Sequence, residues 1–288
     1  MSNNYLGGYS SNLLGISTAF LACEGFNVQP GGLHIAGTRE AAVSLFAALT
    51  KLVATGLGQT ERSDEELPDN NTSLRLHCGR LFQAYMCDVF GYEDEQKCKD
   101  ASGRRRYRNS YLSLIQDWGL DSNNAQAAVL KGWVESRFGL FPSFHKQPIN
   151  SFMGHDWLIY CSEKMHSRYH NNCIYMQLDL LYEYCQWVIE QLHYPARSHK
   201  TLYRGVNTLT DLREYLDETG PYQVLKFNSL VSFTDRRSIA SEFGAYILEV
   251  QVPMSKLMFF NELLPQHALH GEAEYLVIGG DYRVRVLR

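Results

Sequence analysis

Two glutamates one residue apart, Glu272 and Glu274, enter a short apolar run that ends at Ile278 and is followed by Gly279-Gly280-Asp281. The β-branched, apolar character of Ala273 to Ile278 predicts a buried strand, whose two-residue period turns both carboxylates to one face. Like charges side by side repel, so each needs a partner or a task. Failing that, the pair is a solvated strand end. Upstream, Thr201-Leu202-Tyr203-Arg204-Gly205-Val206 sets an arginine inside a strand-like run, where a charge needs a ligand or an acidic partner. Between the two, Ser232 and Thr234 share a face of the Phe227 to Asp235 strand. Hydroxyls so placed can hold a ligand or orient a carboxylate.

The rest of the chain must carry these groups. Its 288 residues suffice for one large domain or two smaller ones. We expect a single domain over residues 1–288, mainly helical over 1–194 and β-rich over 195–288. Helices are expected from Thr38 through Leu45, Leu49, Leu52 and Val53, from Thr72 to Phe90, and over 109–118, 123–137 and 176–193. Strand-like runs follow at Leu202-Tyr203, Val224–Phe233, Tyr246–Val252, Leu257–Phe260 and Tyr275–Ile278. Gly279-Gly280 or Gly280-Asp281 reads as a tight hairpin turn into Tyr282–Val286. Strands in a row with little helix between them imply antiparallel sheet, so the class is α+β.

A formal net charge of −4 gives no broad basic surface and argues against nucleic acid. The local cluster Arg104-Arg105-Arg106-Tyr107-Arg108 is either a solvated loop or a grip for an acidic surface or phosphate. Seven cysteines without a Cys-x-x-Cys pair suggest reduced thiols. Leu21-Ala22-Cys23 lacks a preceding basic residue, so no signal peptide is read. No apolar run is long enough to span a membrane, and a cytoplasmic location is expected. No GxGxxG or phosphate loop appears, which excludes Rossmann-type and P-loop nucleotide binding.

Arginine, then Ser-x-Thr, then Glu-x-Glu, in that order, resembles the signature of the arginine-specific mono-ADP-ribosyltransferases. This chain departs at Phe233-Thr234, where many members carry Thr-Ser. Ser11–Thr18, Phe26-Asn27, Pro30, Leu33 and Leu202-Tyr203-Arg204-Gly205 further resemble the dinitrogenase reductase ADP-ribosyltransferase family of nitrogen-fixing bacteria. The resemblance implies a helical front packed on a C-terminal pair of antiparallel β-sheets of ADP-ribosyltransferase type. It also implies NAD⁺ as co-substrate, no metal, and NAD binding by Arg204, Tyr203, Gly205, Ser232 and Thr234. Glu274 would be catalytic, facing the positive charge that develops on the ribose carbon as nicotinamide leaves. Ser232 would orient it. Glu272 would accept N–H bonds and a proton from the incoming guanidinium, a poor nucleophile while protonated.

The implied protein substrate is the dinitrogenase reductase dimer, modified on one arginine so that nitrogenase is switched off. The implied regulator is a PII-type nitrogen signalling protein. By analogy, Met258–Gly271, with Phe259, Phe260, Pro265 and His267, is a target-recognition loop, the alternative being hairpin core. Two other readings stay open: an effector-type transferase acting on another arginine-bearing protein, and an inactive partner-binding module.

Overall fold

The computed structural model describes residues 38–54, 70–90, 110–193, 197–209, 212–215, 222–265, 268–269 and 273–287. In the helical part, apolar stripes face inward. Helix α1 (Thr38–Ala54) buries Leu45 and Leu49. Helix α2 (Asn70–Phe90) buries Cys78, Phe82, Met86 and Phe90, a stripe with a four-residue step. Helix α3 (Tyr111–Leu120) starts at a reciprocal cap in which the Ser110 hydroxyl takes the Ser113 N–H and the Ser113 hydroxyl takes the Ser110 N–H. Helix α4 (Ala125–Phe138) is capped by the Asn124 side chain and closed by Gly139 at φ 64°. Helix α5 (His155–Lys164) buries only Tyr160.

Helix α6 (Ile174–Val188), extended by a π-helical turn at Ile189–His193, is buried on nearly every side. It joins the helical layer to the strands. Two of its polar side chains bond across that junction: Tyr182 Oη donates to Ser255 O at 2.8 Å, and Gln186 Nε2 donates to Leu257 O at 2.8 Å.

A two-residue ribbon, β1 (Phe144–His145) with β2 (Gln147–Pro148), turns over Lys146 at φ 61°. The main strands are β3 (His199–Val206), β4 (Arg213–Tyr215), β5 (Tyr222–Thr234), β6 (Tyr246–Pro253), β7 (Leu257–Phe260) and β8 (Glu274–Leu287). Helix α7 (Arg237–Glu242) links β5 to β6. All pairings among them are antiparallel, so the α+β class stands.

The expected pair of sheets is replaced by one hydrogen-bonded network in the order β4-β5-β3-β6-β8-β7. Because β5 also pairs with β8, four strands close on one another, which removes open edges from the middle of the sheet. The expected hairpin at Gly279-Gly280 is also corrected, since β8 runs unbroken through both glycines. Phe227 pairs with Gly280 and Leu230 with Ile278, so Asn228 and Ser229 together face Gly279. This is a β-bulge, which bends the strands without reversing them. A Cβ on Gly279 would lie 1.7 Å from Asn228 O, so glycine is there for close approach. Among the described residues, no helix is long and apolar enough to cross a membrane.

Candidate functional site

Strands β3, β5 and β8 bring the three motifs to one place. Tyr203 is the Cα partner of Thr234, and Thr234 is that of Glu274. Ser232 pairs with Leu276, which makes Ser232 and Glu274 diagonal neighbours on one face of the β5–β8 ribbon. Tyr203, Arg204, Gly205, Ser232, Thr234 and Glu274 all line a cavity of about 520 Å³, a volume in the range of small-ligand sites. Gly119, Phe233, Ile239, Ala240 and Phe243 complete its wall.

Each side chain has a defined setting. Arg204 Nη1 donates to the backbone carbonyl of Ser232 at 2.6 Å. Burial pushes its guanidinium below the usual arginine pKa, while the Glu274 carboxylate pulls it back up. The group stays a cation, one that a ligand anion would relieve. Ser232 Oγ accepts the indole N–H of Trp118, at 3.0 Å. Thr234 Oγ1 accepts the Arg236 N–H at 3.2 Å and caps the turn after β5. Gly205 lines the cavity, yet its lack of a side chain answers to α7. A Cβ there would sit 2.0 Å from Ala240 O.

The approach to Glu274 differs from the expected strand. β8 begins at Glu274 itself, and Ala273 has φ 51°. The extended run expected from Ala273 therefore starts one residue later. Glu272 lies outside the described residues, as do His267, Phe26-Asn27 and Arg104–Arg108. The turn before β8 is pinned by Asp235 N–H to Ala273 O at 3.4 Å and by Asn261 N–H to Glu274 O at 3.1 Å. Beside it, Tyr275 Oη donates to Asp235 Oδ2 at 3.1 Å, and Lys200 Nζ lies 3.4 Å from the same carboxylate oxygen.

Phe259 and Phe260 correct the expected recognition loop. Both are fully buried, and Phe260 stacks on Tyr275 at 5.8 Å. They are the core alternative, not a face for a target protein. Among the described residues, an aromatic ring at the cavity that is open to solvent is Phe243, 66% exposed. Sequence reasoning also missed Trp118 and Phe243. Nothing in their local pattern marks them, because both reach the site through tertiary packing of short helices. No group of three or more His, Cys, Asp or Glu residues among the described residues is placed to hold a metal ion.

A cation for phosphate, a fixed hydroxyl and a carboxylate around one cavity fit a transferase that uses an anionic, phosphate-bearing donor. The family model for dinitrogenase reductase ADP-ribosyltransferase (DRAT) matches residues 69–286. The chain is 45% identical over 281 residues to the NAD(+)--dinitrogen-reductase ADP-D-ribosyltransferase of Rhodospirillum rubrum, covering 96% of this chain and 95% of that one. The chain therefore belongs to the dinitrogenase reductase ADP-ribosyltransferase family. No solved structure matches it at a significant level.

Proposed function

We propose that this protein transfers the ADP-ribosyl group of NAD⁺ to an arginine of dinitrogenase reductase, releasing nicotinamide and inactivating nitrogenase. The carrying observation is that Arg204, Ser232 and Glu274, from three separate strands, line one cavity. Family membership supplies the donor and the target. The cavity fits the donor in size and charge: about 520 Å³ with a half-buried cation on its wall. NAD⁺ supplies the activated glycosidic bond.

In this reading the Arg204 fork binds the donor's phosphates, with Tyr203, Gly205 and Thr234 shaping the wall beside it. The Glu274 carboxylate faces the ribose carbon and stabilises the positive charge that grows there as the bond to nicotinamide breaks. Ser232 fixes that carboxylate's direction. Glu272 holds the acceptor guanidinium and takes its proton as the new carbon–nitrogen bond forms. A PII-type nitrogen signalling protein as regulator, a cytoplasmic location and one domain over residues 1–288 complete the proposal. The Cys78, Cys161, Cys173 and Cys185 thiols suit a reducing compartment.

Incubating dinitrogenase reductase with the protein and NAD⁺, followed by mass spectrometry, should show one ADP-ribosyl group on an arginine. Glu274→Gln should lower the transfer rate by about 10²–10³-fold. Glu272→Gln should lose arginine transfer while keeping some NAD⁺ hydrolysis. Label on a different protein in a cell extract, with none on dinitrogenase reductase, overturns the target. Full transfer by both variants overturns the roles.

A further inference from the structure

The hydroxyl of Ser232 has a fixed neighbour in the helical layer. Trp118 is 4% exposed, sits in the last turn of α3, and gives its indole N–H to Ser232 Oγ at 3.0 Å. That turn is held from α4. Asn124 Nδ2 donates to Asp117 O at 3.0 Å and Gln126 Nε2 to Asp117 Oδ2 at 2.9 Å, while the helix's own cap gives Asp121 N–H to Asp117 O at 3.1 Å. The Lys131 ammonium, itself fully buried, lies 5.9 Å from the centre of the Trp118 ring.

A hydroxyl has one proton and two lone pairs. With one lone pair taken by a fixed N–H, the hydroxyl's own proton turns away from Trp118, and Ser232 works as a donor. Its strand position faces the cavity that Glu274 shares. We propose that Trp118 is a positioning residue, which orients the Ser232 hydroxyl so that its proton is presented to the Glu274 carboxylate. Trp118 is assigned no contact with donor or acceptor. This deepens the proposed function and rests on it, because it needs Ser232 and Glu274 to work together.

Trp118→Phe keeps an aromatic ring and removes the N–H. Losing one such hydrogen bond in the transition state should lower kcat about tenfold, with the KM for NAD⁺ within about twofold. The decisive measurement is a double-mutant cycle with Ser232→Ala. If Trp118 acts through the hydroxyl, Trp118→Phe costs nothing more once the hydroxyl is gone. Should Trp118→Phe fail to fold, benzothienylalanine at position 118 replaces the N–H with sulfur in a ring of the same shape. Equal losses with and without the Ser232 hydroxyl, a change confined to KM, or full activity of the altered chain would each overturn the assignment. Glu274→Gln serves as the reference. If the unaltered protein shows no transfer, the proposed function itself falls; if Glu274→Gln keeps transfer, the roles of Glu274 and Trp118 fall together; if it is dead while Trp118→Phe is fully active, only the role of Trp118 falls.

Discussion

Two half-buried arginines show what separates scaffold from site here. Arg137 on α4 meets Asp179 on α6 with both ends of its fork, Nε to Oδ1 at 2.7 Å and Nη2 to Oδ2 at 2.9 Å. Trp133 Nε1 gives the same carboxylate a third bond, at 2.7 Å. The charges cancel within the fold, and the pair closes the seam between two helices. Arg204 on β3 makes one hydrogen bond among the described residues, to a main-chain carbonyl, and lines a cavity. Glu274, the acid that offsets its charge, is on the same cavity wall. Burial alone does not mark a functional cation. The useful sign is a cation with few partners among the described residues next to open volume.

This contrast can be broken most strongly at the closed pair. Asp179→Asn leaves the Arg137 charge without its counter-charge and should cost about 3 kcal/mol of stability, read by denaturant unfolding. The KM for NAD⁺ of the folded variant should not move. Next in size, Arg204→Lys keeps the charge but loses the planar fork, and should raise the KM for NAD⁺ roughly tenfold. Its denaturation midpoint should stay near the parent's. If Arg204→Lys destabilised the fold as much as Asp179→Asn does, the two arginines would belong to one class.

A pH-dependent test concerns a different, fully buried cation. Lys131 donates to Phe144 O at 3.0 Å, and burial lowers its pKa from 10.5 to about 8, against the pull of Asp121 and Glu163. Its folded pKa is depressed, so above about pH 8 the folded chain releases a proton that the unfolded chain keeps up to about pH 10.5. Stability of the parent relative to Lys131→Met should therefore be level below pH 8 and rise with pH across that window. Paired unfolding curves at several pH values would test this, and a flat difference would contradict it.

The site was more legible than the scaffold. Arg204, Ser232 and Glu274 were each weak signals alone and stood out through their order, Arg, then Ser-x-Thr, then Glu-x-Glu, which resembles a known signature. Helices α2 and α6 were legible from the stepped apolar stripe. Helix α5 was not: its first residue follows Gly154, which offers no side-chain cap, and it buries a single tyrosine. The glycine pair at 279–280 was read as a turn because glycine permits one. Only the tertiary contact with Asn228 O shows that it serves a bulge. Phe259 and Phe260 failed as recognition residues for a related reason. An aromatic run looks alike whether it faces water or α6, and here β7 lies against that helix. The left-handed Ala273 had no local signature, since alanine seldom adopts that conformation.

The corner at Gly279 has a consequence for how this family can vary. It lies along the same two strands that carry Ser232 and Glu274, so it sets their facing without belonging to the cavity. Adding or deleting one residue there would invert which side of the ribbon the later part of β5 presents. The pocket would then lose its chemistry while every reactive group remained in the chain. Lineages of this fold should therefore tolerate exchanges of side chain around the corner, Gly279 itself apart, more readily than changes in its length.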